Sequence, residues 1–145
     1  MPTPVESAEL LLKLYELRRE ETMRKARDFV LSFDPRSIGE IQTAMMGPDG
    51  AYIRMVTSFW DMAASFVLND AIDPKMFDET NGEHIVAFGK FQPFLPQTRE
   101  MLGPNFMKNL ERLCTEAPGG LERVAATRER IRGMLAARAA AAAKA

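Results

Sequence analysis

The chain has one cysteine, Cys114. No disulfide can close within it, which excludes the cysteine framework that holds small extracellular domains together and makes a reducing, cytoplasmic setting the expectation. It has one histidine, His84. His-x-x-x-His, Cys-x-x-Cys and Glu-x-x-His pairs are all absent, which removes the common zinc patterns, and the acids around Asp78, Glu79 and Glu83 lack the alternating spacing of a calcium loop. No apolar run reaches the roughly 18 residues of a membrane-spanning helix. The first thirty positions open on prolines and acids, the opposite of a basic segment leading into an apolar one, so neither a membrane partner nor a secretory leader is expected. Net charge is nearly absent as well. Nineteen basic residues stand against 20 acidic ones, a formal charge of -1, and that balance offers no general attraction for nucleic acid or anionic lipid. The glycines form no phosphate-cradling loop and no serine sits in a nucleophile elbow, so no cofactor is expected.

What is present is apolar residue at helical spacing. Met55 to Leu68 is almost entirely apolar, interrupted by the single acid Asp61. With 145 residues there is enough chain for one real core. The fold class predicted is all-α, a compact bundle of about four to six helices, with a long N-terminal helix and a long central apolar helix. One domain is expected over residues 1–135, followed by an alanine-rich extension, 136–145, with high helix propensity, little to pack against and a frayed end.

Thr3-Pro4-Val5-Glu6 carries a hydroxyl cap, proline at the first helical position and a glutamate three residues after the cap. Nothing from there to Leu31 contains a further glycine or proline, so one helix about 40 Å long is expected. Asp34-Pro35 reads as the cap of a shorter helix ending near Gly47-Pro48, and the central helix is expected from about Ala51 to Asn69. Asp73-Pro74 opens a short turn of helix. Thr80 and Glu83 read as a capping box, Phe91 to Pro96 as an irregular or single-turn lid, Asn105 as the cap of a helix through Cys114, and Leu121 to Leu135 as the last helix.

Along the central helix Arg54, Ser58, Asp61 and Ser65 recur at spacings of four, three and four, which places them on one side of an otherwise apolar helix. That side is expected to be a buried polar seam, in which Asp61 must find a donor, with Arg54, Arg18 and Arg19 the candidates. His84 is expected to make an ordinary polar contact in a first helical turn. Cys114, on an apolar face, is expected to be buried and inert. The methionines, dispersed among Phe and Leu, read as core filling.

Leu10, Leu11, Leu12, Leu14, Tyr15 and Leu17 cover more than one stripe of the first helix, so contacts on two sides are expected there, one of them with another copy of the chain. Six acids against Lys75 between Asp61 and Glu83, and six bases against two acids between Gly119 and Ala145, make two oppositely charged segments able to pair within or between subunits. The bases of the first helix alternate with Glu16, Glu20, Glu21 and Asp28, which weakens any phosphate contact.

The stretches Leu14 to Phe29, Tyr52 to Met62 and Ala71 to Glu79 resemble those of a family of small uncharacterised bacterial helical proteins, over roughly Leu12 to Leu113. The resemblance implies a helical cytoplasmic protein and carries over no reaction. The function expected is a non-enzymatic helical module for self-association, as a homodimer, or for binding a protein partner, with no nucleic acid involved. The alternative is a small-ligand-binding protein or unusual enzyme using the polar seam around Asp61.

Overall fold

The computed structural model describes residues 1–145 and contains helices, turns and no strand. Nine α-helices and one short 3-10 turn succeed one another: α1 (Pro4–Arg18), α2 (Glu21–Ser32), α3 (Ile38–Met46), α4 (Gly50–Leu68), α5 (Pro74–Thr80), α6 (Glu83–Phe91), the 3-10 turn (Gln92–Phe94), α7 (Leu95–Leu102), α8 (Lys108–Thr115) and α9 (Gly120–Ala143). The all-helical class holds, but there are more helices than the four to six expected. The surplus comes from two places where the chain breaks or begins a helix without the usual residues.

The first is the N-terminal segment, which is not one long helix. The capping box of Thr3 and Glu6 forms, with Glu6 N–H donating to Thr3 Oγ1 at 3.1 Å and Thr3 N–H donating to Glu6 at 2.8 Å. The helix then ends at Arg18, and Glu20 adopts extended backbone while its carboxylate accepts the N–H groups of Thr22 and Met23 at 2.9 Å each. Glutamate is an uncommon N-cap, so composition alone does not mark the break. A tertiary contact supports it: Arg27 donates through Nη1 to the Arg18 carbonyl, one of the groups that a helix end leaves open. The second is the segment Phe91 to Pro96, expected as an irregular or single-turn lid: it holds a single 3-10 turn, Gln92–Phe94, that runs directly into a further helix, α7. Pro93 and Pro96 sit in the first turns of the 3-10 helix and of α7, where a missing N–H costs nothing, so here proline starts helices instead of ending them.

α4 is the axis of the bundle. Its Ile53, Val56, Trp60, Ala63, Ala64 and Val67 are buried, and its most extensive contacts are with α2 and α8. Ala26 on α2 and Ala63 and Ala64 on α4 are fully enclosed, and side chains this small let the backbones approach closely. Trp60 and Ile53 of α4, Phe77 of α5, Phe88 and Phe91 of α6 and Leu110 of α8 are buried together, each contributing about 2–3 kcal/mol through removal from water. Two tight reversals need glycine. A Cβ on Gly50 would stand 2.2 Å from the Met45 carbonyl oxygen, and one on Gly120 would stand 2.3 Å from that of Cys114.

Three caps differ from expectation. Ser37, not Asp34, caps α3, and Asp34 instead accepts a hydrogen bond from Arg132 Nε at 3.0 Å. Thr80 donates its hydroxyl back to the Met76 carbonyl, so no box forms with Glu83. Asn105 does not cap α8, whose first turn follows Met107 in the left-handed conformation at φ 56°. Asp34 and Thr80 have competing partners in the folded chain, and for Asp34 the partner is 98 residues away. α9 continues as regular helix through the alanine-rich end to Ala143, and every residue of 136–145 is exposed.

Candidate functional site

The seam on α4 is not buried. Arg54 and Ser58 are exposed, and Asp61 and Ser65 are half-buried. Ser58 donates to the Arg54 carbonyl at 2.6 Å, and Ser65 accepts from Asn69 Nδ2 at 3.3 Å. Asp61 pairs with none of the arginines expected for it. Its Oδ1 accepts the Leu110 N–H at 2.9 Å and its Oδ2 accepts from Asn109 Nδ2 at 3.2 Å. Those groups belong to the first turn of α8, which has no capping side chain of its own. Asp61 therefore acts as an N-cap reaching across from another helix, and its negative charge lies where the helix dipole is positive. Arg54, Ser58 and Asp61 do border a groove of about 450 Å³, together with Asn105 and Phe106. The carboxylate facing it is already engaged.

His84 lies elsewhere, on the wall of a different cavity of about 220 Å³ between α5, α6, α8 and α9. Asp61 and His84 do not share a pocket. His84 is 3% exposed and its Nδ1 has no hydrogen-bond partner, which corrects the ordinary polar contact expected for it. Its surroundings are aromatic, with the Phe77 ring 4.9 Å away and the Trp60 ring 5.7 Å away. Trp60 Nε1 is likewise buried without a partner. Burial, helped by the positive charges of Arg123 and Arg18 and opposed by Asp78, pushes the imidazole down to about 4, so the ring is neutral at neutral pH. Cys114 lines the same cavity, and burial pushes its thiol up to about 12, against a smaller pull from Arg123. A thiol so protonated is a poor nucleophile. At the cavity's edge Arg123 Nη1 donates to Asp78 Oδ1 at 2.7 Å. The acidic middle and the basic end thus meet within one chain at this pair, while Arg132 of the basic end pairs instead with Asp34, outside the acidic middle.

The residues grouped as an interface on α1 divide between two environments. Leu14 is buried, Leu10 and Leu11 are partly buried against the core, and Leu12, Tyr15 and Leu17 are exposed. Beside them a groove of about 450 Å³ runs between α1 and α5, with Leu11, Leu12, Tyr15 and Met76 on its walls.

Two charged residues have roles that the sequence patterns did not reveal. Glu83 accepts from Arg27 Nε at 3.0 Å and from Arg18 Nη1 at 3.4 Å, tying α1, α2 and α6 together, while the Arg18 guanidinium lies 5.1 Å from the centre of the Trp60 ring. Lys90 donates to the carbonyls of Leu31 at 3.2 Å and Phe33 at 2.6 Å, closing the C-terminal end of α2. Burial lowers its pKa to about 8. The signal available for Lys90 was its place inside the apolar run Ile85 to Phe91. For Glu83 there was none, because both partners are more than fifty residues away.

No three His, Cys, Asp or Glu side chains come together in the manner of a metal site. No helix is long and apolar enough to cross a membrane. Residues 3–117 match the model of the domain of unknown function DUF4760. The chain belongs to the DUF4760 family. No curated protein and no solved structure matches it. In this DUF4760 member α9 follows the matched residues, yet its Val124 is buried and Arg128 donates to the Gly89 carbonyl at 2.7 Å. The His84 cavity is therefore walled partly by residues beyond the match, among them Arg123 and Val124.

Proposed function

We propose that the chain is a non-enzymatic helical interaction module that pairs with a second copy of itself through the outer face of α1. The observation that carries this reading is a row of large apolar side chains left in water: Val5 is 66% exposed, Leu12 67% and Tyr15 52%. With Ala8 they follow spacings of three, four and three, the a and d positions of a helix seam. The inner row, with Ser7 and Leu14, is already spent on the core. In the outer row the Tyr15 ring meets the guanidinium groups of Arg18 and Arg19, 5.5 and 5.7 Å from its centre, while Val5 and Leu12 stay mostly exposed.

A second copy suits this face because ridge and groove lie side by side on it. Leu12 and Tyr15 stand out, and the groove lined by Ala8, Leu11 and Met76 lies next to them, so a two-fold axis sets the ridge of each copy into the groove of the other. Glu9, Lys13 and Glu16, all exposed, flank the ridge with both signs of charge, and two copies can meet without burying an unmatched ion. The reading of the Asp61 seam as a ligand or catalytic site has less support, since both oxygens of that carboxylate already accept hydrogen bonds from α8.

Sedimentation equilibrium on wild type and Leu12→Asp tests the proposal. Wild type is expected to be dimeric, and the variant to dissociate with a constant about thirty-fold higher or more, as befits a hot spot of about 2 kcal/mol. Its melting temperature as a monomer should match that of diluted wild type, because Leu12 is not part of the core. A monomeric wild type, or a variant with an unchanged constant, overturns the proposal.

A further inference from the structure

The cavity beside His84 and the surface of α1 are separate, and the inference drawn from the cavity does not depend on pairing. From its walls we infer that it is a binding site for a small uncharged aromatic molecule carrying a hydroxyl group, of the phenol class, held by a hydrogen bond to the His84 imidazole.

Size sets the first limit. A cavity of about 220 Å³ exceeds the roughly 150 Å³ cavity that takes up benzene and is too small for a nucleotide or a long acyl chain. The walls set the second. Phe77, Ile85, Leu113 and Val124 are apolar, Pro74 and Pro118 add flat faces, and the Phe77 ring already meets the His84 ring edge-on at 64°. A further aromatic ring fits walls of this kind, because edge-to-face contact between rings is favourable. Charge sets the third. The imidazole is neutral, the Cys114 thiol stays protonated, and the one ion pair at the edge is closed on itself at 2.7 Å. An ionic ligand would lose its hydration and find no free counter-charge inside.

The polar contact remains. His84 is more than nine-tenths buried and Nδ1 is sealed from solvent without a partner. The imidazole lines the cavity, and a hydroxyl, being donor and acceptor at once, completes its hydrogen bonding in either tautomer. Buried polar groups are nearly always satisfied, so an imidazole held this way on a cavity wall marks a place for a hydrogen-bonding molecule.

The chain offers a reporter free of overlap, since His84 is its only histidine. Long-range proton–nitrogen correlation spectra of the full chain, titrated with phenol, follow the imidazole nitrogens directly. A saturable shift of the His84 nitrogens is expected at about millimolar phenol, the range for so small a ligand. Ala117 is exposed on the rim of the cavity, so Ala117→Phe plugs the entrance without touching the core and should weaken phenol binding by about tenfold or more. Benzoate, of similar size but charged, should bind at least about tenfold more weakly than phenol. No saturable shift in wild type, an undiminished affinity in Ala117→Phe, or benzoate binding as tightly as phenol each overturns the inference.

Discussion

Acidifying the protein should cost it stability through His84, and the amount follows from where the imidazole sits. Burial places its folded pKa at about 4, against an ordinary value of 6.5. Between those two values the unfolded chain binds a proton that the native chain refuses, so this contribution to stability is fully present above pH 6.5 and is lost as the pH falls toward 4. Integrating the linkage gives a loss of about 2 kcal/mol by about pH 5 and about 3 kcal/mol by about pH 4. Carboxylates contribute in the same direction. Burial pushes Asp34 up, but Arg132 and Arg36 outweigh it and hold the acid low, while Glu20 is held low by the Thr22 and Met23 amides. The assay must therefore be a comparison. Urea unfolding of wild type and of His84→Leu at about pH 7, 5 and 4 separates the histidine from the acids, which are common to both chains. The gap between the two stabilities should shift by about 3 kcal/mol across that range, in favour of the variant at low pH. Parallel curves, with a shift below about 0.5 kcal/mol, would mean that His84 titrates alike in folded and unfolded chains and that its burial has been misread.

Asp61→Ala removes the acceptor that α4 presents to the first turn of α8 and should destabilise by about 1–2 kcal/mol in urea unfolding, whereas Asp61→Asn keeps an oxygen for the Leu110 N–H and should cost about half as much or less. Equal losses for the two would show that the charge, not the cap, is what matters there. Glu83→Ala strands Arg18 and Arg27, all three side chains being largely shielded, and should cost about 3 kcal/mol with little dependence on salt. A loss below about 0.5 kcal/mol would place the cluster among ordinary surface ion pairs.

Legibility followed the range of the interactions. The Thr3 and Glu6 capping box needs only residues three apart, and it forms. The central helix was read as Ala51 to Asn69, and α4 spans Gly50–Leu68, because a long amphipathic period is written within the segment itself. Asp34 and Thr80 have the chemistry of caps, but each had a choice of partners, and for Asp34 the choice fell to Arg132 on the last helix. The break after Arg18 was hidden for the same reason. Glu20 is a weak cap by composition, and the bend is held from outside by Arg27 and Glu83.

The candidate site divides in the same way. The spacing of Arg54, Ser58, Asp61 and Ser65 did put them on one side of α4, but whether that side faced core, solvent or another helix depended on where α8 docks, and α8 brought Leu110 and Asn109 to Asp61. Likewise the excess of leucine on α1 was evident from composition, while the split between buried Leu14 and exposed Leu12 was decided by which side α2 and α5 cover. Sequence by itself determined the helical class, the absence of a disulfide framework and the amphipathic period of the main helices, since all of these depend on residue type and short spacing. Only the tertiary structure decided that His84 would be neutral and unpartnered beside Cys114, and that an apolar row of α1 would be left in water. Both depend on distances between segments far apart in the chain, where burial and charge act through space and local pattern carries no record of them.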